Sequence, residues 1–365
     1  MFHSYNRAVD LVIVGASFAG LSCAIQAAQA GLKVVVLEKN PKAGHHPGTT
    51  GLLVQEAADF YKIPSHLTKK ISTVRLYDQH LKSFSLHTPD YFFLATHTSG
   101  ILEWLAWHAR ELGVVINFNC RFRDYTEQAD GIYLPDFDLH TSFLVGADGA
   151  RSTVAKKSGL GQNKKFLLGI EYDYPLPANF AEEELHCFLS HLHAPGYLGW
   201  AVGGINRLQV GLAVHHPSHK PNGEGFLDFI RPVLNLQPDQ KIGAHGGLIP
   251  VGGCVEPFYR QRILLIGDAA GLVSPLTAGG IRLSFELGRK SGRLIADYLQ
   301  NPAAPHPGVL LRQQYPDFTG KKLLRQLWQS GFCHQALPLL QFPFLQKWLG
   351  KMIFFNRHSR VEINR

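Results

Sequence analysis

The sequence predicts an α/β protein with a mostly parallel sheet assembled from separate chain segments, a second antiparallel sheet and a helical C-terminal region. Three observations support this fold class. Residues 8–38 read as strand, helix and strand. Two further apolar runs stop at glycine-rich turns that contain Asp148 and Asp268. The runs Leu198–Val202 and Arg207–His215 have the composition of strands in an antiparallel sheet.

Length and composition limit the class of protein. The chain has 365 residues, enough for two or three subdomains, with 45% hydrophobic and 18% charged residues, as in folded soluble proteins. No apolar run reaches the ~18 residues of a membrane-spanning helix, and Asp10 interrupts the N-terminal segment where a signal peptide would be apolar. Five scattered cysteines without C-x-x-C spacing favour a reduced, cytoplasmic protein with no metal.

The first forty residues predict a dinucleotide-binding unit. The strand-like run Ala8–Val14 leads into the glycine-rich turn Gly15–Gly20, and the second buried run, Lys33–Leu37, ends at Glu38. The first glycine permits a tight turn, the last lets helix and strand pack closely, and the helix N-terminus attracts a pyrophosphate. Glu38 would accept hydrogen bonds from a ribose. The predicted contacts are Gly15, Ala16, Ser17 (in place of the usual middle glycine), Phe18, Ala19, Gly20, Glu38 and Lys39.

Two later strand ends complete a recognisable set. The apolar run Phe143–Val145 continues into Gly-Ala-Asp-Gly at 146–149, and Ile263–Ile266 continues into Gly-Asp-Ala-Ala-Gly at 267–271. Three signatures in this order resemble the FAD-dependent oxidoreductases of the p-hydroxybenzoate hydroxylase fold, over about residues 8–300. The resemblance implies an FAD-binding Rossmann-type domain of three layers (ββα), with an antiparallel substrate sheet over the flavin.

The resemblance also assigns roles around the flavin. The Gly-Asp pair at 267–268 would bring a carboxylate to the ribityl chain, and N–H groups at the next helix start would face the flavin N1–O2 edge. A helix cap or a simple turn is the alternative role for Asp148 and for Asp268. The cofactor contacts implied here are Asp148, Gly267, Asp268, Gly279, Gly280 and Ile281. No second glycine-rich βα turn is present, so electrons would come from NAD(P)H or a reduced protein donor without a visible second nucleotide site.

The segment Ser274–Ile281, SPLTAGGI, indicates the branch of the family. Aromatic hydroxylases usually carry a histidine after Gly-Asp-Ala-Ala, where this chain has Gly271. The Pro-Leu-Thr-x-Gly-Gly-Ile pattern resembles geranylgeranyl reductases, which saturate C=C bonds of isoprenoid lipids and often have glycine where Ala278 stands. A partial second match at 195–200 implies substrate contacts from Tyr197, Trp200 and Pro275. Packing in the core of the sheet is the alternative role for the two aromatic residues.

Departures from the branch concern the loop after the second strand and the next helix. Near Gly48 the chain lacks the cysteine of many geranylgeranyl reductases, and near Thr98 it lacks the arginine with which many relatives contact FAD. His45 and His46 lie in that loop and are the candidate catalytic residues, because protonation of a C=C carbon needs a donor. A structural role in the loop is the alternative.

The C-terminal region is basic and aromatic. From Arg312 onward it holds nine Lys and Arg residues against two acidic ones. Its alternatives are a helical cap with a solvated basic face and a peripheral contact with anionic lipid. Nucleic acid is not expected, because the aromatic residues cluster with aliphatic ones. The predicted domains are a discontinuous FAD domain (1–75, 96–165 and 250–300), a substrate sheet domain (76–95 and 166–249) and a C-terminal helical region (301–365).

The leading functional hypothesis is an FAD-dependent oxidoreductase that reduces a hydrophobic small molecule, such as an isoprenoid lipid, by hydride transfer from reduced flavin. The first alternative is an FAD-dependent monooxygenase acting on an aromatic or polyketide-like compound. The second is a flavin protein that transfers electrons to a partner. The oligomeric state is not predicted by the sequence.

Overall fold

A computed structural model describes residues 8–178, 180, 183–329, 342–354 and 362–364. Its strands are β1 (Ala8–Val14), β2 (Val34–Leu37), β3 (Leu52–Val54), β4 (Thr68–Ile71), β5 (Thr73–Tyr77), β6 (Ser83–His87), β7 (Phe93–Thr96), β8 (Val115–Asn117), β9 (Thr126–Glu127), β10 (Ile132–Leu134), β11 (Leu139–Gly146), β12 (Phe166–Pro175), β13 (Glu184–Phe188), β14 (Gly199–Gly203), β15 (Arg207–His216), β16 (Gly243–Pro250), β17 (Tyr259–Arg260), β18 (Ile263–Leu265) and β19 (Glu362–Asn364). Its α-helices are α1 (Phe18–Gln29), α2 (Gln55–Ala58), α3 (Thr98–Glu111), α4 (Thr153–Ser158), α5 (Gly223–Leu234), α6 (Ile281–Gln300), α7 (Pro307–Arg312), α8 (Thr319–Gln329) and α9 (Pro343–Leu349).

The three predicted signatures meet in the first sheet. Its order is β17-β18-β11-β1-β2-β8, and β10 and β9 extend from β11. The pairs β18–β11, β11–β1, β1–β2 and β2–β8 are parallel. The carboxyl ends of β1, β11 and β18 therefore lie side by side, as the Rossmann-type prediction requires. The predicted α/β fold class is confirmed.

Close packing of α1 against α6 depends on two glycines of α6. A Cβ atom at Gly288 would lie 2.6 Å from the carbonyl oxygen of Ala19, and one at Gly292 would lie 2.4 Å from that of Cys23. Any larger residue would separate the helices. This packing holds the N-termini of α1 and α6 at the same edge of the first sheet.

The second sheet has the order β16-β12-β15-β14-β13-β5-β6-β19 and is antiparallel except for the β13–β5 pair. The predicted strand runs at 198–202 and 207–215 form β14 and β15, which pair with each other. A small third sheet, β3-β7-β4, is formed by strands that precede and follow β5 and β6 in the chain. The domain limits remain a prediction, and β5 runs across the predicted limit at 75/76.

The C-terminal region is helical in α7, α8 and α9, but it also contains β19, which the sequence did not predict. Glu362–Asn364 pairs antiparallel with β6 and covers the edge of the second sheet. Pairing satisfies backbone groups that an edge strand would otherwise expose. Several residues of the predicted basic and aromatic region lie outside the described residues, namely Phe355, Arg357, Arg360 and Arg365. Across the described part of the chain, no helix is both long and apolar enough to cross a membrane.

Candidate active site

The turn between β1 and α1 can be built only from glycine at its two ends. Gly15 has φ +110°, and a Cβ atom there would lie 2.3 Å from the carbonyl oxygen of Ala147. A Cβ atom at Gly20 would lie 2.0 Å from the carbonyl oxygen of Gly15. These contacts place the turn against the end of β11, so the first two signatures form one continuous surface.

Glu38 fixes the same turn from the end of β2. Its carboxylate is buried and accepts hydrogen bonds from the N–H groups of Ala16 (2.8 Å) and Asn40 (2.9 Å). Lys39 beside it is exposed. The side chain of Ser17 makes no capping hydrogen bond to α1, and the first turn of α1 contains no acidic residue. The N–H groups that begin α1 are therefore available to a phosphate.

Asp148 has a structural role at the second signature. Its carboxylate accepts hydrogen bonds from the Ser152 hydroxyl and from the N–H groups of Thr153 (2.6 Å) and Val154 (3.1 Å). It thereby caps α4. Burial raises the pKa of Asp148, and these hydrogen bonds oppose that shift. Both carboxylate oxygens of Asp148 accept hydrogen bonds from within the protein, which is the structural role given above as the alternative. A contact of Asp148 with FAD stays a prediction.

Asp268 differs from Asp148 because no donor from the described residues hydrogen-bonds to its carboxylate. Burial raises the pKa of Asp268 to about 6. Gly267 before it has φ +58°, and Asn163 donates hydrogen bonds to the carbonyl oxygens of Asp268 (2.8 Å) and Ala150 (3.1 Å). Asn163 thus ties the second and third signatures together. Asn163 lies outside any motif, so the sequence analysis did not predict its role.

The start of α6 lies next to Asp268. α6 begins at Ile281, and Gly280 at its N-cap supplies no side-chain cap. A Cβ atom at Gly280 would lie 3.5 Å from the Asp268 carboxylate, whereas one at Gly279 would meet only the Thr277 hydroxyl oxygen at 3.6 Å. The predicted helix start is confirmed. It brings N–H groups and one carboxylate that have no partner among the described residues to the same place.

These features fit FAD. The uncapped α1 N-terminus suits a pyrophosphate, the partnerless Asp268 carboxylate suits hydroxyl donors, and the uncapped α6 N-terminus suits an electron-rich ring edge. Within the described chain, no group of three His, Cys, Asp or Glu side chains could hold a metal ion.

The predicted substrate residues lie where the second sheet meets the loop before α6. The Tyr197 hydroxyl donates a 2.6 Å hydrogen bond to the carbonyl oxygen of Thr277, and Pro275 in the same loop is buried. The Trp200 indole N–H donates to Glu171 at 2.7 Å, and the indole ring covers Gly211. Apolar neighbours surround the two aromatic residues: Leu167, Ala213, Ile249, Val251 and Ala278.

His45 and His46 contact each other, with ring centroids 4.3 Å apart. His45 is half-buried, and His46 is exposed with φ +47°. No carboxylate of the described residues pairs with either imidazole. Their catalytic role stays a prediction.

A polar cluster on the second sheet was missed by the sequence analysis. Glu171 is 3% exposed and accepts hydrogen bonds from Gln209 (2.9 Å), Trp200 and Thr50. His245 Nε2 lies 3.0 Å from Glu171 Oε1, and Asp173 and Arg207 lie beside this pair. The only available signal was an acid-x-acid pair on a strand, which places both carboxylates on one face.

Comparison with known proteins identifies the family. Residues 8–225 match the FAD binding domain family. The chain belongs to that family. It is 26% identical over 309 residues to digeranylgeranylglycerophospholipid reductase 2 of Methanothermobacter thermautotrophicus, covering 80% of this chain and 79% of the relative. It is 25% identical over 342 residues to digeranylgeranylglycerophospholipid reductase 3 of Methanosphaera stadtmanae, covering 87% and 84%.

Solved structures support the predicted fold. A geranylgeranyl bacteriochlorophyll reductase-like protein from Thermoplasma acidophilum superposes with TM-score 0.74 at 17% identity, covering 89% of this chain and 90% of that one. A probable FAD-dependent monooxygenase from Pseudomonas aeruginosa gives TM-score 0.69 at 16% identity, covering 90% and 98%. The chain is an FAD-dependent oxidoreductase, and its resemblance to the geranylgeranyl reductase branch is confirmed.

Proposed function

We propose that this FAD-dependent enzyme reduces C=C bonds of a hydrophobic isoprenoid lipid. Bound FAD, once reduced, supplies the hydride. The names of its relatives support a lipid substrate, and the apolar surface beside the loop before α6 supports it physically. We further propose that FAD is held by the β1–α1 turn at 15–20 with Glu38 and Lys39, by Asp148, by Gly267 and Asp268, and by Gly279, Gly280 and Ile281.

The proposal rests mainly on one face of the second sheet, the face directed toward the loop 274–279, which is lined by apolar and small residues. Tyr197, Trp200 and Ile249 pack with Leu167 and Ala278 there. Beside them a row of small residues crosses three strands: Gly247, Gly169 and Ala213 are register partners on β16, β12 and β15. Small residues bordered by large apolar ones suit an unbranched or methyl-branched chain lying across the sheet.

The test is an anaerobic reoxidation experiment. Purified holoenzyme is reduced with dithionite and mixed with a digeranylgeranylglycerophospholipid in detergent micelles, and the return of oxidised flavin absorbance is followed. The control lipid is the fully saturated analogue, which cannot accept a hydride. We expect rapid reoxidation with the unsaturated lipid only, with loss of double bonds measured by mass spectrometry. Equal rates with the two lipids would contradict the proposal.

A monooxygenase is the second candidate, because chains named as monooxygenases share the fold. To test this candidate, the reduced holoenzyme is mixed with air-saturated buffer in place of the lipid. A C4a-hydroperoxide absorbance, followed by oxygen insertion into an aromatic compound, would favour this candidate. Gly271 stands where aromatic hydroxylases usually have histidine, which argues against it. Reoxidation by a redox protein alone would favour the electron-transfer alternative, and reduction by NADH, NADPH or a reduced ferredoxin-type protein would identify the donor.

We also propose that α8 and α9 contact a membrane surface that contains the lipid. α8 exposes Leu323 (59%) and Leu327 (43%) while its buried residue is Arg325 (4%), the reverse of an ordinary packed helix. Phe344 and Trp348 on α9 are also exposed. Exposed leucines and aromatic residues in a basic region suit an anionic bilayer. Co-sedimentation with phosphatidylglycerol vesicles, and its loss in a Leu323→Ser/Leu327→Ser variant, tests this; equal binding by the variant would contradict it.

A further inference from the structure

One row of side chains crosses four strands of the second sheet. His245 on β16 is the register partner of Glu171 on β12, Glu171 is opposite Gly211 on β15, and Gly211 is opposite Trp200 on β14. Register partners project to the same face, so the carboxylate, the imidazole and the indole lie together. Trp200 also packs in the apolar group with Ala278, which leads into the α6 N-terminus. The row therefore runs from the proposed flavin edge to a charged pair.

Glu171 is held by donors from four chain segments. Trp200 Nε1, Gln209 Nε2 and His245 Nε2 lie 2.7, 2.9 and 3.0 Å from its oxygens, and the Thr50 hydroxyl also donates to it. Thr50 belongs to the loop after β2, on the FAD-binding side. Its carbonyl oxygen accepts a hydrogen bond from Gln209 at 3.2 Å. A carboxylate with this many donors is fixed in position.

We propose that Glu171 and His245 form the proton-donating pair of the proposed substrate surface, with Nε2–H of His245 bound to Glu171 and the dissociable proton carried at His245 Nδ1. This inference rests on the proposed function. His245 is the member that a substrate can reach, because its side chain is 15% exposed against 4% for Glu171. The adjacent row of Gly247 and Gly169 places no side chain beside it.

The charges around His245 favour its protonated form. Two carboxylates of β12 face the imidazole: an oxygen of Glu171 lies 3.0 Å from Nε2, and an oxygen of Asp173 lies 3.9 Å from Nδ1. The positive charge of Arg207 on β15, which pairs with Asp173, opposes protonation of His245. The hydrogen bond to Glu171 raises the pKa of His245, and desolvation only partly offsets this. The imidazolium of His245 is therefore favoured relative to that of an isolated histidine.

The proton balance of the proposed reaction is simple. Saturating one C=C bond adds a hydride equivalent to one carbon and a proton to the other. His245 supplies the proton of the second C–H bond from Nδ1, and neutral imidazole remains with its Nε2–H bound to the Glu171 carboxylate. One proton from water then restores the imidazolium. Water can approach because β16, which carries His245, is the edge strand of the second sheet, and Arg207 of the neighbouring cluster is partly exposed.

The first test needs no substrate. The ¹⁵N-histidine spectrum of the oxidised holoenzyme is titrated with pH, and His245→Gln assigns the signal. We expect His245 to titrate above ~6.5, the value of an unperturbed histidine, and Glu171→Gln to lower its pKa. Glu224→Gln, at an exposed glutamate paired with Lys241, is the matched control and should leave the titration unchanged. Titration of His245 below ~6.5, or no response to Glu171→Gln, would overturn the pair.

The second test uses the anaerobic reoxidation experiment. His245→Gln should retain the FAD spectrum and its reduction by dithionite but slow reoxidation by the unsaturated lipid about 10²-fold or more, because general acids contribute on that order. Glu171→Gln, which keeps an oxygen acceptor, should shift the alkaline limb of the pH profile, where the general acid loses its proton, to lower pH. Wild-type reoxidation rates in His245→Gln would overturn the inference. If the wild type itself is not reoxidised by the lipid, the proposed function fails, and the histidine titration still decides whether the pair holds a proton.

Discussion

The Tyr197 hydroxyl donates a 2.6 Å hydrogen bond to the carbonyl oxygen of Thr277, which joins the second sheet to the loop before α6. The indole N–H of Trp328 in α8 donates to the backbone carbonyl oxygen of Tyr197 at 3.3 Å. The Arg325 guanidinium of the same helix lies 5.4 Å from the centroid of the Tyr197 ring. One residue therefore connects the sheet, the loop beside the proposed flavin site and the C-terminal helices. The tyrosine that the sequence predicted as a substrate contact also fixes the loop's position.

Replacing Tyr197 with phenylalanine tests that connection. The Thr277 carbonyl oxygen would lose its donor while the ring still fills its space, so the free energy of unfolding should fall by about 1–2 kcal/mol. Urea unfolding of the holoenzyme measures this. Tyr133→Phe is the matched control, because the Tyr133 hydroxyl donates to Asp138 at the exposed surface, and it should change stability far less than Tyr197→Phe. Equal effects of the two substitutions would contradict the connection.

Gly20→Ala tests the β1–α1 turn. The added methyl group would lie 2.0 Å from the Gly15 carbonyl oxygen, and backbone atoms cannot move aside as a flexible side chain can. We expect loss of bound FAD on purification and a lower melting temperature. Gly320→Ala is the control, because a Cβ atom there meets nothing within 4 Å. Retention of FAD by the Gly20 variant would show that the turn is looser than the structure indicates.

The nucleotide-binding half could be predicted from the sequence because its signals are local. The turn at 15–20, Glu38 and the start of α6 each follow a strand or precede a helix within a few residues, so composition and order identify them. The Glu171–His245 pair could not be predicted that way. Its members are brought together by strand register between β12 and β16, and register is set by the whole sheet.

Other missed features have the same cause. Asn163 joins Ala150 to Asp268 across more than a hundred residues of chain, so no local pattern marks it. β19 has only three residues and forms by pairing with the edge of β6. Asp148 illustrates the opposite case: the Asp-Gly signal was found, but the sequence could not decide between a cofactor contact and the cap of α4.

Ala278→Gly tests backbone strain beside the flavin site. Ala278 has φ +53°, a conformation that costs a residue with a side chain on the order of 1 kcal/mol and costs glycine little. Geranylgeranyl reductases often have glycine there. The substitution should leave stability unchanged or raise it by up to ~1 kcal/mol, with FAD retained. Ala213→Gly, on a buried strand position with no left-handed backbone, should instead destabilise the protein. A clear loss of stability in the Ala278 variant would show that its methyl contact outweighs the strain.

Asp268→Asn should affect the apoprotein and the holoenzyme in opposite directions. Burial raises the pKa of Asp268 to about 6, above the model-peptide value of 3.8. A raised carboxyl pKa means that the folded state binds the proton more tightly, so its contribution to stability is lost as pH rises from about 4 through about 6. Apoprotein carrying Asp268→Asn should therefore be more stable than wild type at about pH 7.5, by on the order of 2 kcal/mol, and equally stable below about pH 4.

Because the same carboxylate of Asp268 is proposed to accept hydrogen bonds from FAD, the variant should bind FAD more weakly. Differential scanning calorimetry of apoprotein at the two pH values, with FAD titration by fluorescence, measures both effects. Glu224→Asn, at an exposed carboxylate, should show neither. An Asp268 variant whose apoprotein is less stable at about pH 7.5 would mean that an unseen donor stabilises the carboxylate in the folded chain.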